Sequence, residues 1–171
     1  MVRMLAGFVV ACVAAGVTLA AQSSRVTVEI KDLQGASVGT ATLSPAKGGG
    51  VSIALDLRNL APGEHAFHVH QVAKCEPPFA TAGPHFNPAA KKHGLENPDG
   101  SHAGDMKNIT VGADGTAKVV VLNTQVTLGD GPNSVFLNGG TSLVVHAKPD
   151  DMKTDPAGNA GDRIACGVIR K

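Results

Sequence analysis

The chain has no tryptophan, no tyrosine and only five phenylalanines among its 171 residues. That leaves few rings on which nucleic-acid bases could stack. Charge is scarce as well. Lys, Arg, Asp and Glu make up 17% of the sequence, and the formal net charge is +1. No block of basic residues is present to seek phosphate or an anionic membrane surface. Nucleic acid is therefore not expected as a partner. Internal repeats, low-complexity tracts and a composition break marking a second domain are also absent. Beyond the first two dozen residues, no segment shows a capped helical period. What remains is one domain with enough chain for a real core.

The N-terminus has the pattern of a secretory signal. Arg3 precedes an apolar Ala/Val/Leu stretch from Met4 to Ala21, and small residues close it at Ala20-Ala21-Gln22. The expected division is a signal peptide over 1–21 and a mature domain over 22–171. A retained anchor helix is the plainer alternative, but the stretch is borderline in length and rich in Ala and Gly. A lipoprotein cleaved before Cys12 fits less well, because the apolar run continues past that cysteine. Export places the protein in the periplasm or outside the cell, with no membrane association after cleavage. Removing Arg3 balances the 14 acidic residues with an equal number of basic ones. Of the three cysteines, Cys12 leaves with the signal. Cys75 and Cys166 remain, an even pair in an oxidising compartment, which reads as one disulfide closing a long loop. Two separate thiols are the alternative. Such a bond contributes roughly 2–4 kcal/mol, mostly through the unfolded chain.

The mature segment reads as short strands punctuated by glycine. Val26–Ile30, Val38–Leu43 and Val51–Leu57 alternate with period two. Further candidates are Ala66–Val72, Met106–Val111, Thr116–Leu122, Thr141–His146 and Arg163–Ile169. Asp114-Gly115 predicts a tight hairpin turn between two of them. About eight short strands at this spacing predict an all-β sandwich or barrel. Two stretches break the rhythm, 73–104 and 148–162. Long irregular loops in a compact domain are usually functional.

The first of these loops carries most of the histidines. His85, His93 and His102 lie in it, and Asp105 follows directly. His68 and His70 stand two apart on a predicted strand, so both leave from one face, roughly 7 Å apart. A lone His-x-His is weak evidence of a metal, since strands have polar outer faces by default. His146, closing the apolar run Leu143-Val144-Val145, raises it. Imidazoles suit copper and zinc. Three histidines and a carboxylate form a closed, structural zinc set. In His102-Ala103-Gly104-Asp105 the glycine allows a tight bend that brings both ligands to one ion. A merely polar loop is the alternative, but a loop this long needs something to order it, and a metal with a disulfide would do so.

These residues carry a family resemblance. The segments Gly63-Glu64-His65-Ala66-Phe67-His68-Val69-His70, Ala82-Gly83-Pro84-His85-Phe86-Asn87-Pro88, Lys91-Lys92-His93-Gly94, His102-Ala103-Gly104-Asp105 and Gly158 to Ile169 resemble the copper/zinc superoxide dismutases of the bacterial exported type. The resemblance covers nearly the whole mature chain. It implies an eight-stranded Greek-key barrel. It implies copper on His68, His70, His85 and His146, and zinc on His85, His93, His102 and Asp105, with His85 bridging the two ions. Arg163 matches an arginine that docks superoxide, and His85 and Arg163 are the implied catalytic residues. Asp150 matches a carboxylate behind the ligands, expected between His70 and His93. Asp151 reads as a plain loop charge. His65 matches a structural histidine bonded to backbone, and Cys75–Cys166 matches the family's disulfide. The loop 148–162 is shorter than in eukaryotic members and lacks most of their charged segment.

The resemblance thus implies dismutation of superoxide to O₂ and hydrogen peroxide, as antioxidant defence outside the cytoplasm. Oligomeric state is open, a homodimer included. Two rivals share the fold. A copper chaperone's dismutase-like domain is disfavoured by the export signal and the full copper ligand set. A non-catalytic metal-binding domain is disfavoured by Arg163, which storage would not need.

Overall fold

A computed structural model describes residues 25–171. The signal peptide expected over 1–21, its cleavage site and Cys12 lie outside the described residues. Among the described residues nine strands form: β1 Val26–Asp32, β2 Ser37–Pro45, β3 Val51–Leu57, β4 Gly63–His65, β5 Phe67–His70, β6 Ile109–Val111, β7 Ala117–Asn123, β8 Thr141–His146 and β9 Arg163–Ile169. All pairings between strands are antiparallel. Among the described residues no helix is long and apolar enough to cross a membrane.

The sheet runs β5-β8-β9-β1-β2-β3-β7, and β4 pairs separately with β6. β4 and β5 are one strand broken at Ala66. On one side of the break Gly63–His65 faces β6; on the other, Phe67–His70 faces β8. Ala66 itself donates its amide to Lys148 and accepts from His146. Counted that way the barrel has eight strands, with β6 and β7 at its two ends. The expected turn at Asp114-Gly115 is present, closed by the Gly112 amide on the Thr116 carbonyl. It is not a hairpin of paired strands, however. β6 pairs with β4 and β7 with β3, so the turn is a corner joining the two ends of the sheet.

The core follows from the alternation. Val51, Ile53, Leu55 and Leu57 of β3 face inward, and Ile30, Leu43, Phe67, Val69, Leu143, Val145 and Ile169 meet them. β8 is buried along its whole length. Its Leu143 and Val145 enter the barrel core, while Val144 packs outside against Phe79, Ala82 and Cys166. The loop following β5 thus covers the outer wall of the barrel. Cys166 of β9 is bonded to Cys75 of that loop, with the Cα atoms 5.7 Å apart.

Candidate metal centre

On β5, Phe67 and Val69 occupy the core, so His68 and His70 leave by the outer face. They lie opposite Val144 and Ser142 of β8, and neither residue has any exposed surface. His146 comes from the end of β8. There the pairing with β9 shifts: Val145 faces Ala165, but His146 faces Arg163, leaving Ile164 as an extra residue. This bulge re-aims the chain. Strict alternation would put Arg163 on the interior face of Ala165; the bulge sets it beside His146 on the outer face.

His68, His70, His85 and His146 each turn one ring nitrogen to a common point, all within 4.8 Å of one another. Their other nitrogens are occupied. His68 Nε2 lies 2.8 Å from Asp150 Oδ2. His70 Nδ1 donates to the Gly83 carbonyl at 2.8 Å, and His146 Nδ1 to the Gly161 carbonyl at 3.3 Å. Each such bond fixes a tautomer with its lone pair facing inward. Those inward atoms lack ordinary partners. His68 Nδ1 and His85 Nε2 are buried with no hydrogen bond at all, and His70 Nε2 and His146 Nε2 face each other at 3.4 Å. Unsatisfied buried polar atoms are rare and need a reason. Four converging imidazole lone pairs are a donor set for copper or zinc.

The second set centres on Asp105. Its Oδ2 accepts the amides of Gly94 at 2.9 Å and His102 at 3.0 Å. Its Oδ1 lies 2.8 Å from His85 Nδ1, 3.0 Å from His93 Nδ1 and 3.3 Å from His102 Nδ1. A tetrahedron of ligands ~2.0 Å from an ion has edges of about 3.3 Å. Three imidazoles and a carboxylate at such separations fit zinc. His85 belongs to both sets, Nδ1 in this one and Nε2 in the other. The expected bend is present, with the Asp105 amide donating to the His102 carbonyl at 3.2 Å, and Gly104 also acts through closeness. A Cβ on it would sit 2.1 Å from the Val69 carbonyl, and its own carbonyl accepts the Val69 amide. The ligand loop is thereby pressed onto β5.

Asp150 bridges the two sets from behind, but between His68 and His93, not His70 and His93. Its Oδ1 lies 3.0 Å from His93 Nε2. His70 is unavailable because its outer nitrogen is spent on Gly83. Asn108 clamps the main chain of Asp150 on both sides, donating to its carbonyl at 3.0 Å and accepting its amide at 2.9 Å. Asp151 is more than a plain loop charge: its carboxylate accepts from the Lys153 and Thr154 amides and from Asn159 Nδ2. His65 stays outside both sets, with Nδ1 2.7 Å from the His146 carbonyl and Nε2 2.8 Å from that of Ala61.

Arg163 is held by its back. Nη1 donates to the Phe79 carbonyl at 2.6 Å and Nη2 to the Gly83 carbonyl at 2.7 Å. Gly83 thus orients both Arg163 and His70. A cavity of about 570 Å³ opens beside the guanidinium, lined also by Leu33, Pro78, Ala80, Gly161 and Asp162. Gly83, Asn108 and Asp155, whose Oδ1 accepts the His93 amide at 2.7 Å, were not singled out by the sequence. Gly83 and the clamp on Asp150 act through main-chain atoms, which leave no mark on residue type.

Electrostatics separates the two sets. Burial holds His146 at about 3 and His85 at about 4, and it pushes His70 well below the ordinary imidazole range. Neutral rings are what metal ligation requires. His93 goes the other way. Burial opposes its charge, but Asp105 and Asp150 outweigh it and raise the ring to about 9. Burial also opposes ionisation of Asp105, yet His102, His85 and His93 hold its carboxyl well below the usual carboxylate range. The carboxylate end of the centre favours a cation.

The sequence profile described as copper/zinc superoxide dismutase matches residues 37–169. The chain belongs to the copper/zinc superoxide dismutase family. A copper–zinc superoxide dismutase of Aquifex aeolicus (strain VF5) is 52% identical over 153 residues, 88% of this chain and 90% of that protein. One from Caulobacter vibrioides is 44% identical over 148 residues, 84% of each chain. Among solved structures, a dismutase-like protein from Bacillus subtilis is 34% identical with a TM-score of 0.81, over 84% of this chain and 97% of its own. Copper and zinc are the metals of this dismutase family, and both donor sets suit them.

Proposed function

We propose that the protein is an exported superoxide dismutase that converts two superoxide anions and two protons into O₂ and hydrogen peroxide. His68, His70, His85 and His146 hold copper; His85, His93, His102 and Asp105 hold zinc. The observation that carries this reading is the pair of converging donor sets sharing His85. Copper supplies the one-electron chemistry that side chains do not. The chain's own residues do the rest. His85 would hold and release a proton at Nε2, which has no hydrogen-bond partner within the protein. Arg163 draws in and orients superoxide with the part of its fork that Phe79 and Gly83 leave free. A local cation matters because the formal net charge is only +1 and Lys153 is paired with Glu96. Asp150 fixes the rings of His68 and His93 together. Export is supported by the Cys75–Cys166 bond and by the signal-like pattern over 1–21.

Metal analysis with turnover on reconstituted protein tests this. One copper and one zinc per chain are expected, with activity. His146→Ala should abolish turnover and keep zinc. Asp105→Ala should lose zinc and thermal stability more than turnover per bound copper. A single tightly held metal, or a fully loaded protein without dismutase activity, would overturn the reading.

A further inference from the structure

His93 is gripped by three carboxylates. Asp105 and Asp150 hold its ring through Nδ1 and Nε2, each at 3.0 Å. The third, Asp155, holds its main chain: the His93 amide donates to Asp155 Oδ1 at 2.7 Å across 62 residues of sequence. That bond is one of several by which the loop 148–162 is latched to the loop bearing His93. The Glu96 amide donates to the Met152 carbonyl at 3.0 Å. Asn97 Nδ2 donates to the Lys153 carbonyl at 3.3 Å. Lys153 and Glu96 form an ion pair at 3.0 Å whose side chains are more than half exposed.

These ties are not equivalent. An ion pair in solvent contributes little. The two carbonyl contacts are neutral and start three and four residues beyond the ligand, although Asn97 Nδ2 also donates to the His93 carbonyl at 2.9 Å. Asp155 acts on the ligand residue itself, with an ionised acceptor, at the short end of the range for N–H···O bonds. Its own position is prepared. Asp151 accepts the amides of Lys153 and Thr154, and the Gly158 amide returns to the Thr154 carbonyl at 2.7 Å. Asp155 therefore sits in a tight turn whose far end, Gly158, packs against Asp150 and His93.

We propose that Asp155 is a positioning residue for zinc. By fixing the main chain of His93, it delivers the ring with Nδ1 toward Asp105 and Nε2 toward Asp150. The proposal rests on the assignment of the second donor set to zinc. It makes the short loop part of the zinc site, although the loop contributes no ligand.

The test is zinc release from the copper- and zinc-loaded protein to a chromophoric chelator at neutral pH. Asp155→Ala should release zinc about tenfold faster, the lower end of the range seen for groups behind metal ligands. Asp155→Asn keeps the acceptor oxygen without its charge and should release zinc at a rate between the wild type and Asp155→Ala. Lys153→Ala removes only the exposed pair and should change nothing. With cobalt in place of zinc, the visible absorption of the site should shift in Asp155→Ala and less in Asp155→Asn. Wild-type release in Asp155→Ala overturns the proposal. So does equal acceleration by Lys153→Ala, which would mean general loosening of the loop, or an Asp155→Asn no better than alanine. Failure of the zinc assignment is distinguishable, because the wild type would then hold no zinc to release.

Discussion

Gly158 is the position where one methyl group should do most damage to the centre. It sits at φ +62, and a Cβ there would lie 1.9 Å from Asp150 Oδ1 and 2.8 Å from His93 Nε2. Alanine in that conformation costs about 1 kcal/mol for the backbone alone. The carboxylate must then move as well. Oδ1 serves both His93 Nε2 and the Met152 amide, and hydrogen bonds to charged groups contribute about 1.5–3 kcal/mol each. Losing one of them entirely and weakening the other gives a total near ~4 kcal/mol. For a domain of this size that is a fall in Tm of about 8–16 °C. The loss should be larger with metals bound than without, because the displaced carboxylate orients a zinc-site ring. Calorimetry on loaded and metal-free Gly158→Ala, with zinc competition alongside, measures both parts. Gly35 provides the control: its φ is +81 and nothing lies within 4 Å of its would-be Cβ. Gly35→Ala should lose only about 1 kcal/mol. Equal small losses at both positions, with unaltered zinc competition, would refute the idea that Asp150 needs the space Gly158 leaves.

Arg163→Ala should lower the second-order rate by about tenfold, equivalent to ~1.4 kcal/mol of capture, with unchanged metal content. It should also flatten the salt dependence, since the attraction is screened over ~10 Å at 0.1 M; full activity with the wild-type salt response would exclude the docking role. In the metal-free protein, His85 and His146 titrate at about 4 and about 3 when folded, below the ordinary value of ~6.5. The unfolded chain therefore binds more protons at these two positions between the folded and ordinary values, and their contribution to stability is full above ~6.5 and lost as pH falls toward 4. A metal-free Tm that stays level from pH 7 to pH 4 would contradict that burial.

Much of the barrel was legible. Alternation in Val26–Ile30, Val38–Leu43 and Val51–Leu57 marks strands because each must present one face to the core. The ligands were legible too, since metal chemistry restricts which residue types can serve. Four features were not. The division of Gly63–His70 at Ala66 depends on a change of partner strand, which no residue type announces. Which histidine meets Asp150 depends on which ring nitrogen turns outward, Nε2 in His68 and Nδ1 in His70, and residue type does not reveal it. The bulge at Ile164 carries no glycine or proline to betray it. Asp155 was hidden differently, as one acid among several in a loop, distinguished only by the amide it reaches.

β8 gives the centre a form of proofreading. Its alternate residues serve two masters: Leu143 and Val145 complete the hydrophobic interior, while Val144 and His146 face the outer wall. A slip of one residue against its neighbours would bury His146 in the interior and expel Leu143 and Val145. No stable barrel tolerates that exchange, so a chain that has folded has also chosen the correct register for His146. The fidelity of the reactive site is thus inherited from the oil-like packing behind it, before any ion arrives to test the geometry.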